Sequence, residues 1–181
     1  VVAQNKYAFK YGKLVVRAKI PIEQGGWPAI WSTGNWYEWP LGGEIDFLEF
    51  YKNKIHANLC WGGNKRWDGS WNSANYPITA FTSKDAKWAE KYHVWMMDWD
   101  EKYIRIYLDD VLLNETDLST TYNKGDHGAG EGGYINPYSN DLEGFGQIMM
   151  LNLAIGGSNG RPIEATFPLE YCVDYVRVYQ K

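Results

Sequence analysis

Apolar side chains recur at every second residue in several stretches of this 181-residue chain, and no other property restricts its fold so tightly. Leu14, Val16, Ala18 and Ile20 alternate with Lys13, Val15, Arg17 and Lys19. Ile104, Ile106 and Leu108 alternate with Tyr103, Arg105 and Tyr107, and Val173, Tyr175, Arg177 and Tyr179 with Cys172, Asp174, Val176 and Val178. A period of two puts successive side chains on opposite faces, as a strand does and a helix does not. Asp100-Glu101 and Asp109-Asp110 fall between such runs and predict tight hairpins. Gly-, Asn- and Ser-rich loops are expected over 62–76 and 123–144, and one short helix-like stretch over Ser83–Lys91. With no repeat and no linker, the pattern predicts one domain over 1–181. Its class is all-β, an antiparallel β-sandwich or barrel.

Charge and composition narrow the partners. The chain is 45% hydrophobic, enough for a packed core, and carries a net charge of −4. That balance argues against nucleic acid and anionic membranes, which require a basic patch. No apolar run approaches the roughly 20 residues of a membrane span, and no signal-peptide pattern opens the chain. Aromatic residues make up 17%, with 10 Trp and 14 Tyr, more than a core of this size needs. Trp and Tyr pair a flat apolar face with a polar edge, which suits surfaces half buried and half wet. A sugar ring, with apolar C–H faces and a rim of hydroxyls, fits such a surface. Cys60 and Cys172 are either buried thiols or one bridge.

The segment Gly43-Glu44-Ile45-Asp46-Phe47-Leu48-Glu49-Phe50 breaks the alternation. Glu44 and Asp46 share a face, but Glu49 is five residues from Glu44 and belongs by parity to the other. Leu48 is apolar on the acidic parity. A one-residue β-bulge near Phe47-Leu48 lets both pack inward and returns Glu49 to the acidic face. Like charges so close push at least one pKa upward. One carboxyl held protonated beside one that is ionised is the condition for cleaving a glycosidic bond. A solvated acidic face or a calcium site is the alternative reading.

These residues resemble the active-site signature of glycoside hydrolase family 16. The run Trp39-Pro40-Leu41-Gly42-Gly43-Glu44-Ile45-Asp46-Phe47-Leu48-Glu49 is similar to the bulged Glu-x-Asp-x-x-Glu form found in laminarinase-like members. Trp27-Pro28-Ala29-Ile30-Trp31, Leu151-Asn152-Leu153-Ala154-Ile155-Gly156-Gly157 and Asp174-Tyr175-Val176-Arg177-Val178-Tyr179 resemble other family segments, in order. The resemblance implies a jelly-roll sandwich with a concave substrate cleft in a secreted enzyme. It implies a retaining double displacement, with Glu44 as nucleophile, Glu49 as acid/base and Asp46 as assisting carboxylate. It also implies that family strands preceding the point matching Val1 are missing. Cys60 stands where laminarinase-like members often carry a His.

The expected activity is an endo-glycosidase acting on β-1,3- or mixed β-1,3/1,4-glucan, as a monomer and without a catalytic cofactor. Agar- or carrageenan-cleaving galactan hydrolases share the bulged signature. A transglycosylase would use the same residues, and a noncatalytic carbohydrate-binding module would share the sandwich without needing the acids. Trp39, Trp36, Trp31 and Trp27 precede the acidic strand and are placed to stack on sugars. Trp71 and Arg66 are candidates in the loop beyond it, and Asn152 is a polar candidate inside an apolar strand. His93, Trp95, Met97 and Trp99 share one face that fits either a cleft floor or a core. Asp174 resembles the aspartate that ligates the family's structural calcium; a surface acid is the alternative.

Overall fold

The computed structural model describes residues 1–125, 129–130 and 133–180. Ten of its strands form two five-stranded antiparallel sheets. The first joins β1 (Gly12–Lys19), β6 (His93–Trp99), β7 (Tyr103–Leu108), β8 (Val111–Asp117) and β12 (Cys172–Tyr179), in the order β12-β1-β6-β7-β8. The second joins β2 (Gly26–Gly34), β3 (Glu44–Tyr51), β4 (Lys54–Gly62), β5 (Gly69–Pro77) and β11 (Gln147–Ile155), in the order β11-β2-β3-β4-β5. A two-stranded hairpin, β9 (Ala129–Gly130) with β10 (Gly133–Tyr134), lies between β8 and β11 in the chain.

Alternation builds the core. Leu14, Val16 and Ala18 of β1 are buried, as are Trp95, Met97 and Trp99 of β6 and Ile104, Ile106 and Leu108 of β7. They meet Ile30 of β2, Ile45, Phe47, Leu48 and Phe50 of β3, and Ile55, Ala57 and Leu59 of β4 in one apolar cluster. The face carrying His93, Trp95, Met97 and Trp99 is therefore core and not cleft floor. The opposite face of the second sheet carries the polar and aromatic residues described below.

Both expected hairpins are present. Asp100 Oδ1 accepts the backbone N–H groups of Lys102 and Tyr103 at 2.7 and 2.8 Å and closes β6 onto β7. Asp109 and Asp110 take φ of 48° and 65° between β7 and β8, the backbone that matches the twist of a two-residue hairpin. Two expectations fail. Residues 83–91 form no α-helix, only a 3-10 turn at Trp88–Glu90, and α1 (Thr79–Thr82) ends before them. The Asp85 carboxylate takes the Lys87 N–H and the Lys91 ammonium, and this local bonding competes with a helix. Trp88 is then buried, stacked on His93 at 4.1 Å between ring centroids. The expected loop over 62–76 is strand β5 from Gly69 onward. It is an edge strand with polar residues on both faces, held by pairing to β4 and by the Asn72 amide on Thr116.

The bulge lies where the parity break in the sequence puts it. Against β4, Asp46 pairs with Asn58 and Glu49 with His56, so three steps on β3 match two on β4. Against β2, Leu48 pairs with Ile30 and Asp46 with Trp31. Phe47 and Leu48 are 1% and 0% exposed, both on the core side. Truncating Leu48→Ala leaves a cavity beneath the acidic face, with an expected loss of about 2–5 kcal/mol. Urea unfolding would show it as a lower midpoint with little change in slope.

Candidate active site

The bulge delivers Glu44, Asp46 and Glu49 to one face of β3. Across the ladder Glu44 pairs with Cys60, Asp46 with Asn58 and Glu49 with His56. On the other side Thr33, Trp31 and Ala29 of β2 stand opposite Glu44, Asp46 and Glu49. The acids therefore occupy the middle strand of a five-stranded sheet, where the backbone is held on both edges.

Each outer acid is met by a tryptophan N–H. Trp39 Nε1 donates to Glu44 Oε2 at 2.9 Å, and Trp27 Nε1 donates to Glu49 Oε1 at 3.1 Å. Asp46, between them, is 1% exposed, and its Oδ2 has no protein partner among the described residues. The environments shift all three carboxyls upward, to different degrees. Burial raises Glu44, opposed by the Trp39 hydrogen bond. Burial first, then the Glu44 charge, raise Glu49 to about 7, with the Trp27 hydrogen bond pulling the other way. Burial and the charges of Glu49 and Glu44 hold Asp46 well above the usual carboxylate range. Asp46 is therefore the acid pushed furthest toward its protonated form by burial, Glu49 is poised near half-protonation at neutral pH, and Glu44 carries the bound N–H of Trp39 that favours its charge.

The remaining sequence candidates separate. Trp31 is on the same face, but its N–H goes to Asn152 Oδ1 at 2.7 Å. Asn152 is exposed on β11, so the two form one polar-aromatic edge beside the acids. Trp71 lies on β5 opposite Cys60, 45% exposed, and extends the face beyond Glu44. Trp36 projects from the loop after β2 and packs edge-on against Phe145, a rim position. Arg66 is held by Glu38 through two bonds of 2.9 Å and lies over Trp67. Its role in the structure is to tie the loop bearing Trp39 to the loop after β4. Asp174 sits on β12 in the other sheet, bonded to Arg17 at 2.6 Å. Among the described residues no group of three or more His, Cys, Asp or Glu gathers to hold a metal. Cys60 and Cys172 are both free thiols.

Three contributors escaped the sequence reading. Tyr51 follows Glu49 on the same face, stacks on His56 at 3.9 Å with planes 7° apart, and meets the Trp27 ring at 5.1 Å. Parity would have found Tyr51, and the register would have found His56. Burial lowers the His56 pKa, so the imidazole beside Glu49 is neutral near pH 7. Tyr138 lies under Glu44 from a distant loop that carries no periodic signal.

The sequence model described as "Glycosyl hydrolases family 16" matches residues 2–129. A "Beta-1,3-glucan-binding protein" of Penaeus monodon is 36% identical over 169 residues, covering 86% of this chain and 45% of that one. A "Beta-glucanase" of Rhodothermus marinus is 28% identical over 200 residues, covering 99% and 61%. The solved laminarinase catalytic domain from Thermotoga maritima superposes with a TM-score of 0.75 at 27% identity, covering 99% of this chain and 68% of that one. The chain thus spans less than two thirds of the length of either curated relative.

The raised carboxyls carry a stability consequence. A carboxyl whose pKa rises on folding favours the fold while protonated, and that contribution is lost as pH rises through its folded pKa, about 7 for Glu49. Glu49→Gln removes the cost of ionising a buried group. It is expected to be more stable than wild type at pH 8, by on the order of 1–3 kcal/mol, and not at pH 4. Melting temperatures of the two proteins at both pH values test this.

Proposed function

The chain belongs to glycosyl hydrolase family 16, and from that footing we propose that it hydrolyses β-1,3- or mixed β-1,3/1,4-linked glucan, cleaving within the chain. One observation carries the reading. On one face of a rigid strand, a glutamate whose pKa stands at about 7 shares its field with a second glutamate that a neutral N–H helps keep ionised. A strand that only binds sugar has no need to bury two such acids side by side with a third.

In the proposed double displacement, the Glu44 carboxylate attacks the anomeric carbon while Glu49 gives its proton to the departing glycosidic oxygen. The C–O bond breaks as the ester to Glu44 forms. Glu49, now ionised, removes a proton from water, whose oxygen attacks the same carbon and releases Glu44. Asp46 lies buried between them, and burial with the two neighbouring charges favours its protonated form, which lessens the negative charge facing Glu44 as it attacks. Trp27, Trp31, Trp39 and Trp71 offer ring faces along the row, and the Trp31–Asn152 pair offers a polar edge for hydroxyls. A polymer of this kind is met outside the cell, so the working location is extracellular. The relative named for glucan binding supports the β-1,3-glucan ligand and makes binding without hydrolysis the alternative outcome of the test.

Reducing ends released from laminarin, lichenan, agarose and carrageenan distinguish these outcomes. Wild type is expected to act on laminarin or lichenan, and both Glu44→Gln and Glu49→Gln to fall by several orders of magnitude. Wild-type kcat/KM should decline above pH about 7, as Glu49 loses the proton it must donate. Cleavage of agarose or carrageenan alone moves the substrate to galactans. Binding to laminarin without new reducing ends leaves a lectin-like module.

A further inference from the structure

Glu44 is the first residue of its strand, and the approach to it is fixed by side chains more than by the ladder. The Leu41 carbonyl accepts from Asn123 at 2.9 Å and the Gly42 carbonyl from Gln147 at 2.8 Å. The Gly43 carbonyl accepts the N–H of Gly34 at 3.1 Å and the hydroxyl of Thr33 at 3.2 Å. One group reaches Glu44 itself. The Tyr138 hydroxyl accepts the Glu44 N–H at 3.0 Å, and its single proton is shared between the Glu44 carbonyl at 2.8 Å and the Cys60 carbonyl.

Tyr138 is fully buried, and its backbone is held from both sides. Its N–H goes to Asn136 Oδ1 at 3.0 Å, and its carbonyl accepts from Trp99 Nε1 at 2.9 Å. The phenol ring lies flush under the backbone of Gly43, which has φ of 77°. A Cβ at that position would meet the ring at 2.7 Å. The hydroxyl thus stands at the open end of the β3–β4 ladder, tying the Glu44 peptide to its partner strand while the ring fixes the residue before it. Because Tyr138 lies far from β3 in sequence, the tie also locks that strand end to the core of the first sheet through Trp99.

We propose that Tyr138 is the positioning residue of the nucleophile, holding the Glu44 main chain so that its carboxylate stays on the Trp39 N–H and in line with the Glu49 acid. The proposal rests on the nucleophile reading of Glu44. Tyr138 touches no substrate; it acts through the peptide of Glu44. Burial raises its own ionisation far above the ordinary tyrosine range, so the hydroxyl stays a donor throughout the working pH range. A main-chain shift of about 1 Å at a reacting group can cost on the order of a hundredfold in rate.

Tyr138→Phe keeps the ring and removes the tie. On laminarin, kcat is expected to fall about tenfold to a hundredfold, with KM changed by less than about twofold. The acidic limb of kcat/KM should move to higher pH, because a carboxylate loosened from Trp39 loses the donor that favours its charge. Trp39→Phe should move that limb in the same direction, and adding Tyr138→Phe to it should move it no further. Gly43→Ala, which pushes on the ring while keeping the hydroxyl, should reproduce the lower kcat and the limb shift; it decides the matter should Tyr138→Phe not fold. A Tyr138→Phe protein with full kcat and an unmoved limb, changed only in melting temperature, overturns the positioning role, as does an unmoved limb in Gly43→Ala. Activity surviving in Glu44→Gln removes the nucleophile itself and overturns both readings, so the two failures are told apart.

Discussion

The site depends on two consecutive apolar residues that both go into the core. A regular strand buries every second side chain, so Phe47 and Leu48 cannot both point inward unless the ladder slips by one residue. The slip appears against β2 and β4 alike. The apolar area of a buried Phe and Leu, about 1.5–3 kcal/mol each, favours the slip over exposing either ring or isobutyl group. Placing Glu49 on the wet face is the geometric consequence. The register of the acids is thus fixed by hydrophobic burial beneath them, which is why their mutual repulsion does not undo it.

Repulsion is considerable, since three carboxyls crowd one strand face and the middle one is almost wholly buried. Proton uptake relieves it: Asp46 is pushed well above the usual carboxylate range and Glu49 is raised to about 7. The same relief makes the acids inequivalent. Position along the row separates the two glutamates: each carries an indole N–H, but Glu49 also sits in the field of Glu44 and is raised to about 7. A stability cost at alkaline pH and the proposed division of labour between proton donor and nucleophile are two results of one arrangement.

Most of this was legible in the chain. The strands β1, β7 and β12 follow from alternation, the hairpins from Asp-rich pairs, and the bulge from apolar Leu48 on an acidic parity. Strand β5 was not legible, because an edge strand exposed on both faces has no apolar period and its Gly, Asn and Ser content reads as loop. Residues 83–91 read as a short helix, but the Asp85 side chain closes a local turn there. Within the site, the tryptophans near Glu44 could be guessed as sugar platforms, but not that Trp27 and Trp39 hand their N–H groups to the two glutamates. That requires knowing which indole edge faces which acid, a question of register between β2 and β3 for Trp27 and of the path of the 35–43 loop for Trp39. Arg66 was a sugar candidate for its donors, and Asp174 a calcium candidate by its resemblance to a family aspartate. Each has an ion-pair partner distant in sequence, Glu38 and Arg17, that only folding brings near.

The use of indole N–H groups, and not cations, at the two glutamates follows from what the chemistry needs. A guanidinium at Trp27 would hold Glu49 more firmly but would pull its pKa down by roughly 1–3 units, leaving no proton to donate near neutrality. A neutral N–H opposes the rise only modestly while fixing one carboxylate oxygen in space, so orientation and acidity are set separately. At Glu44 the same kind of donor favours the ionised form without neutralising it, and the carboxylate stays nucleophilic. In the proposed function the indole also offers a ring face to sugar, so one residue type would orient the acid with its edge and bind the substrate with its face. The aromatic excess of the sequence is thereby tied to the acids it surrounds: positioning them by charge would have spoiled the difference between them.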